Sequence, residues 1–117
     1  MLFLSVLSRL NVWGEFLIVK IEFGYETDTE YICCPAKVGR NIRKLQRQFD
    51  KWIYNRNNKH PYWMVADEDE EGNKIYGVCF DAEAFVYWLN HVKYSNRKKV
   101  ARLIDNPVNP PKKKLRF

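Results

Sequence analysis

The run from Val38 to Ile53 constrains the fold more than any other part of the chain. At about 100° of rotation per helical residue, Val38, Ile42, Leu45, Phe49, Trp52 and Ile53 fall on one side. Lys37, Arg40, Arg43, Lys44, Arg47 and Lys51 fall nearly opposite. An apolar stripe this wide has to be covered by a second layer. The chain must therefore supply a sheet or another helix whose own apolar face matches it.

The rest of the sequence offers a sheet. In "EFLIVKIEFGY", Leu17, Val19, Ile21 and Phe23 alternate with Phe16, Ile18, Lys20 and Glu22, and the β-branched residues suit a pleated surface. "ETDT" reads as a turn and "EYICC" as the returning strand. Pro35 suits a first helical turn, where its missing N–H goes unused, so the helix is expected to run from Pro35 or Ala36 to near Asn55. After the loop "NRNNKHP", "YWMVAD" and "KIYGVCF" form a second expected hairpin, with Gly72 and Asn73 at the positive-φ positions of its turn. Asp81 is placed to cap a second helix over "AEAFVYWLNHVKY", whose Phe85, Val86, Leu89 and Val92 form an apolar face. A short helix is expected from Ser95 to Ile104, with Val100, Leu103 and Ile104 inward. Beyond it Pro107, Pro110 and Pro111 oppose regular structure.

The expected fold is thus α+β. Two antiparallel β-hairpins make one four-stranded sheet with two main helices packed on one face, in ββαββα order, with a short helical N-terminus and a basic C-terminal tail. Two facing ββα units are the alternative. Both helices carry Phe-x-x-Trp followed by an aliphatic residue (Phe49, Trp52, Ile53 and Phe85, Trp88, Leu89), which a duplication or the shared need to bury an aromatic face would each produce. Residues 1–104 are expected to form a single domain and residues 105–117 a basic, Pro-rich tail.

Residues 2–10 place Leu2, Phe3, Val6, Leu7 and Leu10 at helical spacing, as a short helix or a packed arm. Arg9 interrupts the apolar run and no cleavage pattern follows, so a secretory signal is not expected. No stretch approaches the ~20 apolar residues of a membrane span. Cys33, Cys34 and Cys79 are an odd number without framework spacing, which points to a reducing compartment. A cytoplasmic protein without a membrane partner is expected.

Charge is segregated along the chain. The net charge is +6, yet the nine bases from Lys93 to Phe117 face one acid, Asp105, while the first 92 residues carry a slight acidic excess. Lys37 to Lys59 holds eight bases against Asp50, and Asp67 to Glu83 holds seven acids against Lys74. Segregation of this kind creates directional fields that a mixed surface cancels. Lys37, Arg40, Arg43, Lys44, Arg47 and Lys51, with Arg97, Lys98, Lys99, Arg102, Lys112, Lys113 and Lys114, are the candidate contacts to nucleic acid or another anionic partner. Such contacts neutralise phosphates and release condensed counterions. A solvated helix face would need polar residues too, but acids would then be interspersed. "NRKKVARL" also has the length and charge of a nuclear-import cluster. Tyr54, Tyr62, Trp63, Tyr76, Tyr87, Trp88 and Tyr94 are candidate base-stacking platforms or core residues.

Asp67, Glu68, Asp69, Glu70 and Glu71 form the candidate protein-docking tip; a solvated hairpin end would look the same. A calcium loop is excluded because the alternating ligands and terminal Glu of that motif are absent. His60 and His91 are the only histidines, no zinc spacing occurs, and there is neither a Gly-rich phosphate loop nor a G-x-S-x-G elbow. Cys34 with His60 as its base is the one conceivable nucleophile pair, against the simpler reading of a buried cysteine.

The residues therefore point to a non-enzymatic basic protein, with no cofactor and no metal, engaging nucleic acid or a nucleoprotein complex through a basic helix face and tail. The alternative is a small protein-binding inhibitor of a nucleic-acid-processing or defence nuclease, of the mobile-element, phage or anti-CRISPR-like type, whose acidic tip docks on the effector.

Overall fold

A computed structural model describes residues 15–24, 29–95, 99–109 and 111–117. The fold is α+β. Strands β1 (Phe16–Glu22) and β2 (Thr29–Pro35) form the expected antiparallel hairpin, with Val19 opposite Ile32 and Leu17 opposite Cys34. Val19, Ile21, Ile32 and Cys34 are buried, as their alternation requires.

Two helices follow where one was expected. Helix α1 (Ala36–Arg40) and helix α2 (Ile42–Ile53) are separated at Asn41, whose φ of −104° and ψ of 16° leave the helical path. Gly39 lies so close to β1 that a Cβ on it would stand 2.8 Å from Leu17 Cδ1. A glycine is a poor helix former, and here it also sets how closely α1 approaches the sheet. Helix α2 then restarts, with the Asn41 carbonyl accepting from the Leu45 N–H at 3.0 Å. Ile42, Leu45, Phe49 and Ile53 are buried and Trp52 half-buried, so the apolar stripe of α2 is as read.

The four-stranded sheet is assembled differently from expectation. Its order is β5-β2-β1-β6, where β5 (Arg102–Ile104) pairs antiparallel with β2 and β6 (Lys113–Arg116) pairs parallel with β1. Both edges of the first hairpin are therefore taken. The second hairpin, β3 (Trp63–Glu68) and β4 (Lys74–Val78), stands apart as a two-stranded ribbon with an irregularity between Val65 and Asp67. In its turn Gly72 alone has positive φ, at 85°; Asn73 does not share that conformation.

The expected helix over Ser95 to Ile104 is replaced by an irregular approach to β5. Val100 is buried, Leu103 is exposed, and residues 96–98 lie outside the described residues. The segment read as an extended tail supplies β6, with Leu115 buried beside Ile21. Helix α3 (Ala82–Trp88) starts as read, with Asp81 accepting from the Glu83 N–H at 3.0 Å, and Glu30 of β2 accepts from the Ala82 N–H at 2.9 Å. It then widens into a π-turn (Leu89–Lys93), which leaves Val92 exposed instead of on the apolar face.

The π-turn turns Asn90 inward. Its Oδ1 accepts from the N–H groups of Val100 and Ala101, each at 2.8 Å, and its Nδ2 donates to the Ala101 carbonyl at 2.9 Å. One buried amide thus satisfies three backbone groups that have no ladder to join. At the core's centre Phe49 meets Trp52, Phe80, Phe85, Trp88 and Phe117, with ring centroids 5.3–6.1 Å apart. Phe117 also stacks on Phe23 at 5.6 Å, so the residue following β6 belongs to the aromatic core. The expected N-terminal helix lies outside the described residues.

Candidate functional site

The two basic segments that are far apart in sequence meet in space. Arg43, Gln46 and Arg47 of α2 and Lys114, Leu115 and Arg116 of β6 line one open groove of about 400 Å³. Strand β6 is the sheet edge that α2 overhangs, and Gln46 Nε2 donates to the Arg116 carbonyl at 2.7 Å, tying helix to strand. Arg43, Lys44, Arg47 and Lys51 are exposed. Among the described residues no carboxylate lies within ion-pair distance of any of them. Asp50, the acid within this run, is half-buried, and burial pushes its carboxyl up.

The strand side of the groove is partly neutralised. Register places Lys114 beside Lys20 and Arg116 beside Glu22. Glu22 bridges Arg116 at 2.9 Å, Lys20 at 3.4 Å and Lys114 at 3.6 Å. The hydrogen bond from Arg116 holds the Glu22 carboxyl below its ordinary range, with the charge of Lys114 adding to it. One carboxylate against three cations leaves the outer face of this edge positive.

The remaining candidates do not form a single track. Lys37 and Arg40 are exposed on α1, which the break at Asn41 sets off from the stripe of α2. Lys99 and Arg102 are exposed at the β5 edge, three strands away from β6, or about 14 Å at the usual strand spacing. Lys112 is exposed and Lys113 half-buried; Arg97 and Lys98 lie outside the described residues. Arg116 and Gln46 complete the groove without having been singled out as contacts from the sequence. The only signal for Gln46 is its helical position between Arg43 and Arg47.

The acidic tip is fully exposed, but Asp69 is not free. Its carboxylate accepts from the N–H groups of Asn73 at 2.7 Å and Glu71 at 3.0 Å, and the bond to Asn73 pulls its carboxyl below the usual range. Asp69 therefore shapes the turn, while Asp67, Glu68, Glu70 and Glu71 present charge.

Cys34 and His60 are not brought together as a pair. Cys34 is fully buried on β2 beneath Gly39, and burial pushes its thiol up to about 12, so it holds its proton at neutral pH. His60 is engaged elsewhere: Nε2 donates to the Ile53 carbonyl at 2.9 Å and Nδ1 accepts from the Tyr62 N–H at 3.2 Å. Its ring stacks on Trp63 at 5.2 Å and touches Trp52 at 4.8 Å. Tyr62 and Trp63 are both half-buried, and Tyr54, Tyr76 and Tyr87 are exposed. Among the described residues no cluster of His, Cys, Asp and Glu is arranged to hold a metal ion, and no helix is long and apolar enough to cross a membrane.

Comparison with protein-family models, curated proteins and solved structures found no match to this chain.

Proposed function

We propose that the chain is a non-enzymatic binding protein that holds a nucleic-acid backbone in the groove between α2 and β6. The observation that carries this reading is the convergence of Arg43 and Arg47 with Lys114 and Arg116 around one open groove. Arg guanidinium groups present planar donors suited to phosphate oxygens, and two of them one helical turn apart on α2 can span neighbouring phosphates. Gln46 is already spent on β6 and fixes the groove's width. The convergent side chains are mostly cations and Gln46 is tied to β6, so recognition of the backbone is the expected mode.

The test is a gel-shift series with duplex DNA, single-stranded DNA and RNA across increasing salt. Direct binding gives a log–log salt slope that becomes shallower by about one unit for each phosphate contact removed, as in Arg43→Gln, Arg47→Gln and Lys114→Gln. Absence of any shift at low salt ends the reading.

A further inference from the structure

The β3–β4 ribbon, which plays no part in the groove above, is left in an unusual state. Two-stranded ribbons are marginal on their own and are ordinarily completed by a further strand or by packing on another layer. Here Met64, Val65, Ile75 and Tyr76 are 49%, 45%, 47% and 58% exposed, although they sit at mid-ribbon. Val65 and Tyr76 are direct cross-strand partners, and strand alternation puts them on the face that also carries Trp63.

The ends of the ribbon are opposite in charge. The tip carries Asp67, Glu68, Glu70 and Glu71. A groove of about 640 Å³ runs from the base, where Arg56 and Lys59 line it, past Trp63 and Tyr76 to Lys74, the cross-strand partner of Glu68, and no acid lines it. Arg56 and Lys59 belong to the loop that leads into β3, at the opposite end of the ribbon from Glu70. A twofold axis near the Val65–Tyr76 pair would lay each tip on the base of the opposite ribbon and cover Val65 and Tyr76 in between, while Met64 and Ile75 alternate to the other face. A nucleic-acid strand would find cations and the rings of Trp63 and Tyr76 in the groove, but the acidic tip, which the same ribbon carries, repels its phosphates.

We propose that this ribbon is a self-association surface, on which a second copy of the chain lays its own ribbon antiparallel and seats its acidic tip against Arg56 and Lys59. The contact is isologous: the same patch serves both copies, and each contributes one tip and one basic groove.

Charge-reversed variants test this by sedimentation velocity of the full chain over a wide concentration range. The wild type is expected to dimerise, more weakly as salt rises. Arg56→Glu with Lys59→Glu, and separately Glu70→Lys with Glu71→Lys, are each expected to weaken the homodimer by about a hundredfold or more, since like charges then face each other. Mixing the two variants should restore a dimer, because each acidic groove then meets a basic tip and each basic groove an acidic tip. Circular dichroism checks that both variants fold. A wild type that stays monomeric throughout, a dimer indifferent to either reversal, or a mixture that fails to associate overturns the proposal. So does a monomeric wild type whose oligonucleotide binding is lost in Arg56→Glu with Lys59→Glu, which would give the groove to nucleic acid instead.

Discussion

Arg116 places both Nε and Nη2 on one carboxylate oxygen of Glu22, at 3.3 and 2.9 Å, across the parallel β1–β6 pair. Because Arg116, and then Lys114, favours the ionised form, the folded pKa of Glu22 is depressed below its ordinary 4.5. Such a group contributes stability that is present above the unfolded value and lost as pH falls through the folded one. The melting temperature of the wild type is therefore expected to drop on acidification below about 4.5, and Glu22→Gln to lack that part of the drop. Asp69 shifts in the same direction, so a smaller acid-side decline persists in the variant. Identical pH profiles for the two proteins would refute the assignment.

The same substitution bears on binding. Glu22 competes with any phosphate for Lys114 and Arg116. Glu22→Gln is expected to raise affinity for oligonucleotides at low salt and to steepen the salt slope. Titration of a labelled strand against both proteins measures this, and weaker binding by the variant would argue against the groove.

Asn90 holds the approach to β5. Asn90→Ala leaves two N–H groups and a carbonyl unpaired in a buried setting, at a cost of about 2–4 kcal/mol. Urea unfolding with an unchanged slope gives the value directly. A loss below about 0.5 kcal/mol would show that water readily replaces the amide.

Phe117 marks the difference between a tail and a structural segment. It meets Phe23, Phe49, Phe80 and Phe85. Phe117→Ala is expected to destabilise by about 2–3 kcal/mol, somewhat less than a fully buried phenylalanine because the ring is only partly enclosed. A basic tail attached to a finished domain would show no change in the melting curve.

The thiols should separate by accessibility. Cys79 is exposed and Cys34 fully buried, with its thiol pushed up to about 12. A thiol reagent is expected to modify Cys79 quickly in the native protein and Cys34 only after unfolding, as read by mass spectrometry of the modified peptides.

The parts of the fold that were legible in the sequence are those whose apolar pattern repeats. Val19 and Ile21 alternate over a seven-residue strand, and Ile42, Leu45, Phe49 and Ile53 recur over three turns of α2. Strands β5 and β6 have three and four residues, so periodicity has too few positions to register in either. Lysines and nearby prolines, which read as a tail, are equally what an edge strand uses to avoid pairing further. The close approach of α1 to β1 rests on Gly39 meeting Leu17, and the role of Asn90 on a segment about ten residues on; neither contact leaves a periodic trace. For the candidate site, helical rotation put Arg43 and Arg47 on the exposed side of α2, where the structure has them. Their convergence with Lys114 required knowing that β6 pairs beside β1.

That pairing also sets when the groove comes into being. Strand β1 starts at Phe16 and its parallel neighbour ends at Arg116, so the contact closes a loop spanning most of the polypeptide, the kind that forms late. On the ribosome, the β1–β2 hairpin and α2 have all their residues outside the exit tunnel well before β6 does. A nascent chain at that stage displays the arginines of α2 without the strand that frames them, and the edge of β1 stays open until Lys113–Arg116 arrives.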